Sequence, residues 1–256
     1  MRVLIFDTET TGLPKTKLLT KEVLHLLPFI VQLSYVIFNT VTNRIEVIQD
    51  HIINIPLDIQ ISPESTNIHG ITKEITLSKG KALKDILFQF IEDYESCDLL
   101  VGHNLSFDVN MLKMETMRLI QTSLYFEKLY LEEFLEKLIM ESNNNSNSNS
   151  NNSNSNSNNS NSNSNNSNTK HYCTMKKTIT YCDIKVIDKK GKEYIKFPKL
   201  SELHKKMFGY IPKNLHNSLH DVLVCLRCFY QIEYKTDLLI ENKKVRNLFI
   251  KLRLQS

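Results

Sequence analysis

Four acids and one histidine, Asp7, Glu9, Asp108, Asp221 and His216, have the types and spacing that could do chemistry. In Phe6-Asp7-Thr8-Glu9-Thr10-Thr11-Gly12-Leu13 two carboxylates stand two residues apart. Strand side chains alternate, so Asp7 and Glu9 share a face. Like charges side by side repel unless a cation lies between them. A divalent metal is the simplest answer; a solvated strand end feeding a turn at Thr11-Gly12 is the other reading. Val101-Gly102-His103-Asn104-Leu105-Ser106-Phe107-Asp108 reads as a buried strand that turns at glycine and delivers Asp108 to the first turn of a helix. An acid there also complements the helix dipole. In Asn214-Leu215-His216-Asn217-Ser218-Leu219-His220-Asp221, Asp221 again opens an apolar helix. Five residues of helix turn through about 500°, so His216 reaches the side of Asp221 only from the preceding loop, with Asn217 or Ser218 as cap. Read alone, His216 is equally a surface histidine. Together, oxygen donors at three element ends suit Mg²⁺ or Mn²⁺ rather than zinc.

The elements that would carry these residues follow from periodicity. Residues 2–7, 31–38 and 45–53 read as strands, the last two joined as a hairpin across 39–44. Residues 63–69 read as a short helix with Ser62 as cap and Pro63 at its first position. Leu83, Ile86, Leu87, Phe90 and Ile91 give helical spacing over 82–94. A buried strand over 99–101 precedes helices over 107–120 and 124–140. A hairpin over 184–197 turns at Lys189-Lys190-Gly191, and a helix over 199–208 stops at Gly209. Helices over 218–234 and 237–254 close the chain. Strands mixed with helices predict an α/β layer fold on one mixed sheet, as a single domain over 1–256.

From Ser142 to Asn168 every residue is Asn or Ser. Such a tract cannot bury apolar surface against its ordering entropy, so 142–168 reads as a disordered insertion in a loop. The chain as a whole is ordinary: 41% hydrophobic and 23% charged over the 256 residues, which excludes collagen-like, disulfide-scaffold and wholly disordered classes. The apolar run at the N-terminus is too short for a signal peptide, and no run is long enough for a spanning helix. A soluble intracellular protein that does not engage membranes is expected. Charge is uneven: residues 1–141 hold 13 Lys+Arg against 20 Asp+Glu, and residues 170–256 hold 19 against 8. The basic part fits a polyanionic partner or simply solvated lysine faces. Five cysteines with no secretory signal read as free thiols. Cys225 and Cys228 form a CxxC that Cys173 and Cys182 could complete as a zinc site; small buried helix residues are the plainer reading.

The segments 6–13, 102–108 and 216–221, in this order, resemble the DnaQ-like 3′–5′ exonucleases, the DEDD superfamily on an RNase H-like fold. Pro63-Glu64, Ile68-His69-Gly70-Ile71 and Lys199-Leu200-Ser201-Glu202-Leu203 add smaller matches. Histidine five residues before the last aspartate resembles the DEDDh branch; the tyrosine branch needs Tyr where Asn217 stands. The Thr-Glu-Thr-Thr-Gly-Leu text is more similar to DNA-directed, proofreading-type members than to oligoribonucleases.

The resemblance implies two Mg²⁺ or Mn²⁺ ions per site. Asp7 would bridge them, Glu9 and Asp221 would hold one, and Asp108 the other. Two cations ~4 Å apart stabilise the attacking and leaving oxygens of a phosphodiester. His216 would be the general base, since imidazole is the side chain that titrates near neutrality. His220, inside the helix, is the rival. Thr10, Gly12 and Leu13 would meet the 3′-terminal nucleotide, Leu13 as a wedge against its base. Glu64 and His69 match positions near the terminal sugar and the site rim, and Asn104 and Phe107 would support the site. Lysines of the 184–197 hairpin and the C-terminal helix would track phosphates.

Two classes of function follow. One is a metal-dependent 3′–5′ exonuclease that releases nucleoside 5′-monophosphates, from DNA ends or, alternatively, from RNA. The other is a nucleic-acid-binding module of the same fold without catalysis; the complete acid set argues against it. A polymerase, replication or repair partner would act in trans, and the resemblance also implies possible dimers.

Overall fold

The computed structural model describes residues 1–16, 20–147 and 170–255. Strand β1 (Arg2–Thr10) is followed by a 3₁₀ turn at Lys21–Leu26, then β2 (Ile30–Asn39) and β3 (Arg44–Ile52). Three helices come next: α1 (Pro63–His69), α2 (Lys73–Lys79) and α3 (Leu83–Glu95). Strand β4 (Leu99–Gly102) leads into α4 (Leu105–Thr122) and α5 (Tyr125–Asn147). After the Asn/Ser tract come β5 (Lys170–Cys173), α6 (Thr174–Lys177) and α7 (Ile179–Cys182). The hairpin β6 (Lys185–Ile187) and β7 (Glu193–Ile195) precedes α8 (Leu200–Phe208), α9 (Ser218–Tyr234), α10 (Leu238–Glu241) and α11 (Lys243–Lys251).

The main sheet has the order β3-β2-β1-β4-β5. β1 runs antiparallel to β2 and parallel to β4, and β4 is parallel to β5, so the sheet is mixed, as predicted. β1 lies at the centre and is buried on both faces, which is why its start is continuously apolar rather than alternating. Its residues divide by parity. Leu4 and Phe6 join Phe90, Leu112 and Phe134 of α3, α4 and α5 on one side. Val3 and Ile5 join Leu226 and Phe229 of α9 and Phe249 of α11 on the other. Each fully buried Phe or Leu contributes roughly 1.5–3 kcal/mol by leaving water.

That parity positions the acids. Asp7 and Glu9 continue the Val3/Ile5 face, towards α9; Thr8 continues the Leu4/Phe6 face, towards α4. β1 extends past the predicted end at Asp7, because Glu9 pairs with Gln32 and Thr10 with Ile30 after a register shift. The acid pair therefore sits inside the strand rather than beyond it.

Helix α1 has the predicted bounds, with the Ser62 side chain accepting from the Ser65 amide (3.1 Å). The predicted helix over 237–254 is instead two. Asn242 adopts an extended conformation and its side chain accepts from the Val245 amide (3.0 Å), ending α10 and starting α11. α4 begins at Leu105, two residues before the expected start. α2, β5, α6, α7 and the turn at Lys21–Leu26 had no clear periodic signal, being four to seven residues long. α5 runs to Asn147, six residues into the Asn/Ser tract, and the expectation of disorder for the rest of it lies outside the described residues. Among the described residues no helix is long and apolar enough to cross a membrane.

Candidate active site

The parity of β1 brings three separate segments together. Oxygens of Asp7 and Glu9 on β1 and of Asp221 on α9 lie within 4.8 Å of one another. Asp108, in the first turn of α4, lines the same cleft from the other side of the strand. The residue between the two β1 acids, Thr8, donates to Asp108 Oδ1 from its amide (3.0 Å) and its hydroxyl (2.7 Å). Its alternation to the opposite face is what lets it do so. Nothing in the sequence reading singled out Thr8; the signal was there, as the one side chain of the Asp-Thr-Glu triplet facing α4.

His216 lies in the loop before α9, at φ +69°. Its amide donates to Asp221 Oδ2 (3.0 Å), which fixes the loop to the helix it precedes. Asn217 is the cap, accepting from the His220 amide (3.4 Å). Ser218 ties α9 to the sheet: its hydroxyl donates to the Asp7 carbonyl (2.7 Å) and its amide to Gln32 Oε1 (3.2 Å). His220 Nδ1 donates to the Asn214 carbonyl (2.8 Å), so its ring braces the loop, and it is not among the residues lining the cleft.

The cleft is open, about 670 Å³, and is lined by Asp7, Glu9, Asp108, Asp221 and His216 with Leu13, Asn104 and Phe107. Asn104 stands at φ +64° just before α4, and Leu13 is 78% exposed. Thr10 and Gly12 do not line it. Thr10 is buried, its hydroxyl donating to the Gly12 carbonyl (2.8 Å). His69 Nδ1 accepts from the Ile71 amide (3.0 Å), so Nε2 carries the proton and donates to the Thr10 carbonyl (3.1 Å). Burial lowers the His69 pKa, consistent with a neutral ring holding the end of β1. Glu64 is exposed on α1 and does not line the cleft.

Burial dominates the electrostatics. It pushes Glu9 up to about 8 and Asp108 and Asp221 to about 7, and raises Asp7 well above the carboxylate range, with neighbouring acids adding to the shift in Asp7 and Glu9. The Thr8 bonds pull Asp108 back down, and the His216 amide does the same for Asp221. Acids taken out of water together cannot all ionise without a counter-charge. The donor set is all carboxylate oxygen, which fits a hard divalent cation of the Mg²⁺ or Mn²⁺ kind. Cys225 and Cys228 lie buried in α9, Cys228 packed with Cys182 and Leu203, and burial raises both thiols.

A mixed five-stranded sheet with an acid pair on its central strand, met by acids from two flanking helices, defines the carboxylate-site class of RNase H-like folds. Residues 4–152 match the exonuclease family model (RNase_T), and the chain belongs to that family of DnaQ-like exonucleases. No curated protein matches the chain. Solved structures share the fold. Escherichia coli exonuclease I in complex with a dT13 oligonucleotide is 14% identical, over 90% of this chain and 41% of that one, with a TM-score of 0.55. A moderately thermophilic exonuclease I from Methylocaldum szegediense is 13% identical, over 98% and 43%, also with a TM-score of 0.55. The chain thus spans less than half the length of these structures.

Proposed function

We propose that the protein is a divalent-metal-dependent 3′–5′ exonuclease that hydrolyses the terminal phosphodiester of a polynucleotide, DNA in preference to RNA, and releases nucleoside 5′-monophosphates. The observation that carries this is the meeting of Asp7, Glu9 and Asp221 within 4.8 Å in a cleft that Asp108 and His216 also line. Family membership supports the nuclease class, and the complete acid set supports catalysis over binding alone.

Asp7, Glu9 and Asp221 would hold one ion, and Asp7 with Asp108 a second. Bound there, divalent cations supply Lewis-acid stabilisation of the charge that develops on the phosphodiester oxygens. Thr8 keeps Asp108 oriented and favours its ionised form through two bonds to one oxygen. His216, exposed at the cleft, takes the proton of the attacking water on its imidazole. The His216 amide and Ser218 keep this loop and α9 registered against Asp7. Leu13, apolar and exposed at the cleft edge, packs on the terminal base. His69 and Thr10 hold the turn that presents it. A Cβ on Gly12 would meet nothing closer than Ser62 Oγ at 3.9 Å, so its backbone is open to a ligand. Thr10, Gly12 and Glu64 act, in this reading, around the terminal nucleotide rather than at the reacting bond.

In this reading residues 1–256 are one domain, interrupted by the Asn/Ser tract, whose first six residues end α5 and which leads on to β5. The test is a 5′-labelled single-stranded oligonucleotide, as DNA and as matched RNA, with Mg²⁺ or Mn²⁺. Wild type should shorten it one nucleotide at a time from the 3′ end, chelator should stop this, and Asp7→Ala should be inactive. Absence of chelator-sensitive trimming by wild type, with binding retained, would establish the silent module instead.

A further inference from the structure

The β6–β7 hairpin stands apart from the main sheet as its own two-stranded sheet. Isolated hairpins are marginal in water, and this one gains little from burial. Ile187, Tyr194, Ile195 and Phe197 are 71%, 49%, 41% and 51% exposed. It is nevertheless well specified. Asp188 Oδ1 accepts from the Lys190 and Lys192 amides (2.8 and 2.9 Å), which shapes the turn. At its root the Lys196 amide donates to the Ile184 carbonyl (2.9 Å). His103, just beyond β4, donates from Nε2 to the Pro198 carbonyl (2.9 Å), while its Nδ1 accepts from the Thr174 hydroxyl (3.0 Å). The arm is therefore tethered to the segment that delivers Asp108.

Its chain then becomes part of the site. Phe197 and Lys199 line the same cleft as Asp7, Asp221 and His216. An exposed aromatic at a site for a polynucleotide end is a stacking surface, and the arm beyond it ends in Lys189, Lys190 and Lys192, all exposed. A cleft of about 670 Å³ holds only the end of a polymer, so the rest of the strand must leave over its rim. Lys190, in the turn, lies seven positions before Phe197 along the chain. The arm therefore reaches at most roughly 20 Å, against which a stacked strand with ~3.4 Å spacing would present no more than about six phosphates.

We infer that the β6–β7 hairpin is the exit path for the substrate strand: Phe197 stacks a base upstream of the scissile bond, and the tip lysines bind the phosphates that follow. This rests on the exonuclease reading, because it takes the cleft as the place of the 3′ end. The occupant is single-stranded polynucleotide, by continuity with the acid site and by charge.

The test is fluorescence anisotropy with phosphorothioate-linked dT15 and dT3, titrated across KCl concentration. Lys189→Ala/Lys190→Ala/Lys192→Ala should bind dT15 about tenfold more weakly at low salt. The slope of log K against log salt should fall by about two, given ~0.7 per neutralised phosphate on a single strand. The matching triple arginine variant should keep the wild-type slope, which separates charge from misfolding. Binding of dT3, too short to reach the tip, should be the same in all three proteins. Phe197→Ala should lose about tenfold and Phe197→Tyr should not. An unchanged slope in the alanine triple, or equal losses on dT3 and dT15, overturns the assignment, and would be the result if the arm docks a protein. Wild type that binds dT15 through the arm yet never trims an ordinary oligonucleotide overturns the exonuclease reading alone. Wild type that trims, with the slope unmoved by the alanine triple, overturns the exit path alone.

Discussion

Thr8 holds Asp108 across a separation of 100 residues with two hydrogen bonds to the same carboxylate oxygen, 3.0 Å from the amide and 2.7 Å from the hydroxyl. The site thus depends on a nearly buried residue whose role is to hold one of the acids. Thr8→Val keeps the volume and the amide bond but removes the hydroxyl. Loss of a buried bond to an ionised carboxylate should lower stability by about 1.5–3 kcal/mol in denaturant titrations above pH 8, where Asp108 is charged. It should also raise the Asp108 pKa further, because both Thr8 bonds favour the ionised form. The acid limb of the pH–rate profile should move to higher pH; an unmoved limb would mean that Thr8 only packs.

The acid cluster sets the pH dependence of the metal-free protein. Glu9 at about 8 and Asp108 and Asp221 at about 7 are all raised on folding. Raised values mean that folding favours the protonated forms. Their contribution is present below the unfolded values near 4 and is lost as pH climbs through about 7 to 8. In chelator, thermal stability should therefore fall over this range. Asp221→Asn, which keeps an oxygen for the His216 amide, should raise it at pH 8 by on the order of 1 kcal/mol or more. Mn²⁺ should stabilise wild type increasingly with pH and should stabilise the variant little. A metal-free protein whose stability does not change between pH 5 and 8 would contradict the electrostatics.

His216 and His220 should separate cleanly. His216→Ala should cut kcat by about 10²–10⁴ while the Mn²⁺ thermal shift persists, since the acids are untouched. His220→Ala removes the 2.8 Å bond to the Asn214 carbonyl. It should cost about 1 kcal/mol of stability and only a modest part of kcat. Equal kinetic losses would reassign the base.

Leu13 offers a probe free of folding effects. At 78% exposure, Leu13→Ala should change stability by no more than about 0.5 kcal/mol. KM for an oligonucleotide should nevertheless rise several-fold, which steady-state kinetics would show. An unchanged KM removes Leu13 from the binding of the terminal base.

The Asn/Ser insertion should be dispensable. α5, before it, packs against β5, after it, so the tract joins neighbouring elements. Replacing 148–168 with about eight Gly/Ser residues shortens the connection from α5 to β5 and should stabilise by about 1 kcal/mol at most. Unaltered trimming activity is expected; a fall in activity would assign the tract a role.

The order of strands and helices, the Ser62 cap, the hairpin turns and the loop position of His216 were legible because each is local. Period-2 and period-3.6 patterns, capping residues and glycine turns act within a few residues, and the long elements show them clearly. The short pieces escaped for the same reason: β5 and α6, four residues each, owe their form to neighbours rather than to their own pattern. Asn242 broke the last helix because its side chain satisfied an amide that a continuous helix would have bonded from a carbonyl.

The candidate residues Asp7, Glu9, Asp108, Asp221 and His216 could be named from sequence, since their types and element ends were visible there. Their meeting could not. It follows from β1 being the central strand, buried on both sides, so that odd residues face α9 and even residues face α4. Only that sandwich turns Thr8 into a clamp, makes Ser218 a tie to the Asp7 carbonyl, and raises the acids by burying them together. Burial and long-range hydrogen bonding are properties of packed layers, and no window of the chain contains both partners.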